Sequence, residues 1–181
     1  MMNVKGSIFI SLVKAIKHDK SGAFNKYLTD KDRALLGNKI LPGGWYPFET
    51  YENCITAVFE ITAKRNPEVA KGWGREECKA AMTGIYASFV DGQDPIKFVS
   101  AYGMVHKRFY DLGRVEATVE GTNQVLFKLI DFNTRCIPLH YFIQGWLEQG
   151  LELCGAKNIK FTFLTKSWEG HPETSMRLTW S

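Results

Sequence analysis

The chain reads as an α+β protein, with N-terminal helices followed by a four-stranded antiparallel sheet made of two hairpins separated by a long helix. Three observations predict this. Apolar residues recur at helical spacing up to Gly113. From Arg114 to Phe132 the period changes to alternation around a Gly121-Thr122-Asn123 turn, the pattern of a β-hairpin. After one more helical run, "NIKFTFLTK" and "TSMRLTW", joined by "SWEGHPE", form a second hairpin. The 181 residues suffice for one domain with a full core and not comfortably for two, so residues 1–181 are expected to form a single domain.

In the first helix, over residues 7–18, the stripe expected to face inward is Ile8, Leu12, Ala15 and Ile16. "LTDKDRALLG" predicts a short helix capped by Thr29 or Asp30 and stopped by Gly37. "ILPGGWYPF" (40–48) is rich in Pro and Gly and predicts an ordered loop. Its Trp45, Tyr46 and Phe48 either anchor that loop on the core or lid an apolar pocket. Thr50 is the expected cap of the next helix, with Tyr51, Ile55, Val58 and Thr62 as its stripe and Lys64-Arg65 at its cationic end. After "GWGR" another helix is expected to reach about Val90, burying Cys78, Ala81, Met82, Ile85 and Phe89. Asp94 then caps, and Pro95 takes the first position of, the helix that ends before Gly113. Pro138 opens the last helix, which runs through Cys154 to Gly155. Gly145 and Gly150 lie inside it and each costs about 1 kcal/mol against Ala, so both predict close packing on another element.

Composition narrows the function classes. Hydrophobic residues make up 45% and charged residues 23%, an ordinary folded balance. The net charge of +4 comes from basic residues scattered along the chain, unlike the concentrated basic face of a nucleic-acid binder. The run Lys17-His18-Asp19-Lys20 reads as a solvated face. Cys54, Cys78, Cys136 and Cys154 lie far apart without C-x-x-C spacing, as reduced buried thiols of a cytoplasmic protein would. The apolar run in "MMNVKGSIFISLVKAIKHDK" is broken by Ser7, Ser11 and Lys14 and lacks a cleavage site, so no signal peptide is expected. No stretch approaches the ~20 apolar residues of a membrane span. G-x-S-x-G, a glycine-rich phosphate loop and H-E-x-x-H are all missing, and His140 and His171 have no local nucleophile, so an enzyme is not expected.

The residue that stands out is His106 in "FVSAYGMVHKRF". Val99, Tyr102, His106 and Phe109 follow i, i+3, i+7, i+10 and make one stripe, with Lys97, Ser100, Lys107, Arg108 and Asp111 opposite. The imidazole therefore points inward. It is either a hydrogen-bonded core histidine or a residue that faces a ligand. Arg135 is similarly open between an ion pair with Asp131 and a bidentate hold on a ligand carboxylate.

"MNVKGSIFISLVKAIK" resembles the opening of heme-binding H-NOX domains, and "FVSAYGMVHKRF" resembles the H-NOX helix whose histidine ligates heme iron. "RCIPLHYFIQGWLEQGLELCGAKNIKFTFL" is similar to the ending of 4-vinyl-reductase-type domains, which share a superfamily with H-NOX and with the TRAPP vesicle-tethering subunits. "WYPFETY", "DPIKFVSAYGMVHKRFYDLGR" and that ending together are also similar to an uncharacterised bacterial family of the same fold. The resemblance implies a non-catalytic sensory domain that binds a hydrophobic small molecule, heme or another tetrapyrrole, between helices and sheet. It would signal to a protein partner, with a homodimer as one way of doing so. The ligand-site residues implied are His106 as the metal ligand, with Val99, Tyr102, Phe109, Trp146 and Arg135. The TRAPP part implies instead an interaction and dimerisation module with no cofactor. In H-NOX a Tyr-x-Ser-x-Arg signature holds the heme propionates. Here "DFNTR" matches it at Arg135, with Asp131 and Asn133 in the other two places.

Overall fold

The computed structural model describes residues 2–84, 86–132 and 136–181. They fall into two compact units, residues 1–67 with 107–112 and residues 68–106 with 113–181. The element order is five helices with a short strand pair among them, a hairpin, a sixth helix and a second hairpin, the α+β order read from the sequence.

In the first unit, β1 (Asn3–Lys5) pairs antiparallel with β2 (Trp45–Pro47), setting Val4 opposite Tyr46. The loop reading of 40–48 therefore missed a strand. α1 (Gly6–His18) buries Ile8, Phe9 and Val13, whereas Leu12 and Ile16 are half-buried and Ala15 is exposed. Ile8 faces inward as expected, and beyond it the buried positions shift to Phe9 and Val13, because the Phe9 ring, edge-on to Tyr46 and Tyr51, decides the helix rotation. Of the aromatic trio, Phe48 is buried, Tyr46 half-buried and Trp45 exposed.

α2 (Asp30–Gly37) starts with a capping box: Thr29 accepts from Asp32 N–H, and Asp32 accepts from Thr29 N–H. α3 (Phe48–Ile61) begins two residues earlier than its expected cap, because the Phe48 N–H is taken by Met2 O at 2.9 Å. Thr50 instead lies buried within the first turn and donates to Asp32. Thr62 is exposed past the helix end, and Lys64 and Arg65 take left-handed φ values of 51° and 61°.

Burial works to raise the Asp32 carboxyl, and hydrogen bonds from Thr50, Thr29 and Asn53 outweigh it and hold it below the usual aspartate range. A lowered folded-state value means stability that is present above the unfolded aspartate range and lost as pH falls through the folded one. Asp32→Ala should cost about 2–3 kcal/mol, since it removes the box and strands Asn53 and Thr50. The same variant should flatten the acid limb of stability, which urea melts at stepped pH would read.

The second unit holds α4 (Pro67–Met82), α5 (Pro95–Phe109, whose last turn belongs to the first unit), α6 (Ile137–Leu153) and the sheet. α4 begins at Pro67 and ends at Met82, so "GWGR" lies inside the helix rather than before it, and Ala87–Phe89 is a separate turn. Cys78 and Met82 are buried, Ala81 and Phe89 half-buried, and Ile85 lies outside the described residues. Gly74 explains the discrepancy: a Cβ there would sit 1.9 Å from Phe142 O on α6. The partner position repeats the arrangement, with a Cβ at Gly145 falling 2.0 Å from Lys71 O on α4. The glycines are points where two helix backbones touch.

The sheet order is β3-β4-β6-β5, all antiparallel, with β3 (Arg114–Gly121), β4 (Gln124–Ile130), β5 (Lys160–Thr165) and β6 (Glu173–Thr179). The inner strands carry the core through Val125, Phe127, Leu129, Met176 and Leu178. β3 is an edge strand; Val115 and Ala117 are half-buried, and Val119 is 49% exposed despite the same alternation. Among the described residues no helix is long and apolar enough to cross a membrane.

Candidate functional site

Asp94 starts α5 by accepting the Lys97 N–H at 3.0 Å, and from that start the helix periodicity turns Phe98, Val99, Tyr102, Val105 and His106 inward. The His106 ring is 1% exposed. It meets Phe132 edge to face at 5.3 Å and lies 6.3 Å from Tyr102. Phe132 in turn lies edge-on to the buried His140 at 5.9 Å, and His140 packs on Trp168 at 4.5 Å. Tyr102, His106, Phe132, His140 and Trp168 thus form one row of rings with two imidazoles flanking Phe132.

Tyr102 also joins a second aromatic group. It is edge-on to Trp146 at 5.0 Å and to Phe127 at 5.4 Å, while Trp146 stacks on Phe98 at 5.4 Å. Gly150 makes room for this, since a Cβ there would overlap the Phe98 ring at 1.7 Å. Of the residues singled out in the sequence, Val99, Tyr102, His106 and Trp146 are therefore buried in one unit. Phe109 is half-buried and falls in the other unit, and Arg135 and Asn133 lie outside the described residues. Asp131 has a left-handed φ of 54°, is 76% exposed and is held by Arg114 at 2.5 Å.

Sequence reasoning weighs His140 only for catalysis, and it does not single out Phe132 or Trp168. His140 had a signal, since with Ile143, Leu147 and Leu151 it continues the buried stripe of α6. Phe132 falls on the wrong parity for the alternation of Val125, Phe127 and Leu129, and Trp168 stands in a three-residue turn too short to show a period.

The four cysteines are buried. Burial pushes the thiols of Cys54 and Cys78 up to about 12 and that of Cys154 up to about 11, leaving them protonated at neutral pH and poor as nucleophiles or metal ligands. No group of three or more His, Cys, Asp or Glu able to hold a metal ion occurs among the described residues. What the site offers a metal is imidazole nitrogen within an aromatic wall.

No family model and no curated protein matches the sequence. Solved structures do match. An H-NOX protein from S. oneidensis in the Fe(II)NO ligation state superposes with a TM-score of 0.69 at 14% identity, over 98% of this chain and 99% of that one. An H-NOX protein from K. algicida, in its Fe(II) unliganded form, gives 0.68 at 12% identity over 98% and 96%. An oxygen-binding H-NOX domain related to soluble guanylate cyclases gives 0.65 at 14% identity over 98% and 95%. These neighbours lend no support to the TRAPP or 4-vinyl-reductase parts of the resemblance. Over 98% of its length the chain has the fold of H-NOX domains.

Proposed function

We propose that residues 1–181 act as one non-catalytic, cytoplasmic sensory domain that binds a hydrophobic planar ligand, heme or a related tetrapyrrole, at His106 and signals to a protein partner. The observation that carries this reading is a fully buried imidazole on the inward face of α5, in a fold whose solved neighbours include proteins with iron in defined ligation states.

The residues present fit the iron end of such a group. The His106 imidazole, against Phe132 and near Tyr102, would be the residue to hold the iron, within an apolar wall that Trp146 extends behind Tyr102. Position 131 does not fit the anionic end, because a carboxylate repels a propionate and Asp131 is engaged by Arg114. Arg135 is the cation this reading assigns to the propionates, and Val99, buried in the same unit as His106, adds to the apolar lining it assigns. Bound heme would supply an iron that takes up a diatomic gas. The chain's own part is to present one ring nitrogen, exclude water with aromatic side chains, and register the change. Sensing requires that the ligand favour one of two packings. Phe132, edge-on to His106, is the contact that ligation would disturb.

Mixing the purified chain with hemin should give a Soret band that His106→Ala abolishes. A wild-type protein that takes up no heme, or a His106→Ala protein that binds it equally well, would sink the heme reading.

A further inference from the structure

We infer that one side of the first unit, built on the exposed lysines that border the Ile10 and Val13 edge of α1, docks on an anionic lipid surface. This is independent of any heme at His106. Ile10, Val13, Lys14 and Lys17 fall at i, i+3, i+4 and i+7 on α1 and so share a face. With Lys39 and Ile40 they line a groove of about 250 Å³. Its floor is hydrocarbon and its rim is three exposed ammonium groups. None of the three lysines is ion-paired with a carboxylate among the described residues. Lys17 donates to Asn38 O at 3.3 Å, which draws it toward Lys39. Asp19, the acid nearest in the chain, is turned to Ser21 and Ala23.

The same side continues past the groove. Ser7 N–H to Pro42 O (3.0 Å) and Gly6 N–H to Gly44 O (2.9 Å) clamp the 41–44 loop onto the first turn of α1. The loop holds out Leu41, 53% exposed, and leads into Trp45 at the start of β2, 44% exposed, with the Lys5 ammonium 4.4 Å over the indole. The strip thus runs from an exposed Trp and Leu through Ile40 and Ile10 to three lysines.

Each part matches a property of a lipid surface. Indole favours the headgroup level, a protruding leucine enters the acyl boundary, and lysines collect anionic headgroups. An amphipathic helix of a partner protein would need apolar pockets repeated over two turns. Here the apolar groups are one short groove and two single side chains, which suit a fluid partner with no shape of its own.

The test is sedimentation of the full chain with vesicles of phosphatidylcholine, alone or mixed with phosphatidylglycerol, at low and high salt. The wild type should bind only the anionic vesicles, and less at high salt. A lysine near such a surface is worth about fivefold in partitioning, so Lys14→Glu, Lys17→Glu and Lys39→Glu together should weaken binding by at least about 100-fold, three lost positive charges alone giving that much. A control with equal charge change elsewhere, Lys97→Glu, Lys107→Glu and Lys160→Glu, should keep most of it. Leu41→Ala with Trp45→Ala should remove the part that survives high salt. The assignment is overturned if the control triple loses binding equally, if the apolar pair has no effect, or if the wild type ignores anionic vesicles.

Discussion

Gly145→Ala and Gly74→Ala should each lower the melting temperature by about 6–12 °C. The added Cβ would lie 2.0 Å from Lys71 O in one case and 1.9 Å from Phe142 O in the other. Both obstacles are backbone carbonyls inside helices, so no rotamer change relieves the clash and α4 and α6 must separate. Overpacking costs about 1–3 kcal/mol, and an obstacle of helix backbone puts these two substitutions at about 3 kcal/mol. For a chain of this size each kcal/mol is worth about 2–4 °C. Separation would also strain the ion pairs along the crossing, Lys71 with Glu148 and Arg75 with Glu148 and Glu152. Gly72 is the internal control. It lies in α4 two residues from Gly74, yet a Cβ there meets nothing within 4 Å. Gly72→Ala should therefore stabilise by up to about 1 kcal/mol through helix propensity alone. Thermal melts followed by circular dichroism read both signs, and a Gly145→Ala melt within a degree of wild type would refute the close crossing.

Trp146→Ala should cost about 3–5 kcal/mol, the range for deleting a buried aromatic side chain. The indole is stacked on Phe98 and edge-on to Tyr102, and such pairs add about 0.5–1.5 kcal/mol each beyond area burial. Tyr102 would lose its support and with it part of its contact to Phe127. In urea the midpoint should fall while the slope stays constant, since the surface exposed on unfolding hardly changes. The measurement also bears on the site. If Trp146 bordered a ligand space instead of filling the core, truncation would remove few contacts, and a loss below about 1 kcal/mol would say so. Comparing the midpoint with and without hemin then separates a wall residue from a packing residue, because a ligand that binds only the folded chain raises it.

Several features were legible because their causes are local. Asp94 and Pro95 mark the start of α5 within a few residues of chain, and the i, i+3, i+7 spacing that follows is enough to turn His106 inward. The alternation of Val125, Phe127 and Leu129 placed a buried strand at β4. Gly145 and Gly150 were read as contact points because a glycine inside an otherwise good helix has a local cost that something non-local must offset.

The misreadings share the opposite property. In "GWGR" the same residue type reads as a break, since nothing nearby in the chain reveals that Phe142 O lies against Gly74. The apolar residues of α1 are dense enough to allow either of two faces, and rings at positions 46 and 51 choose between them. Thr50 is a sound cap by local rules, but Met2 O takes the Phe48 N–H and moves the helix start. Val119 alternates as well as Val125 does, yet its strand lies at the edge of the sheet, which no window of sequence around it encodes.

Hydrogen bonds and side-chain periods that act within a turn or a strand could be read directly from the order of residues, which was sufficient for the α+β class and the inward direction of His106. The row that joins this imidazole to Phe132, His140 and Trp168 draws on a helix, a connecting segment, another helix and a hairpin turn. Burial of a ring depends on which distant surfaces close over it, so the company His106 keeps was decided only when those four segments packed.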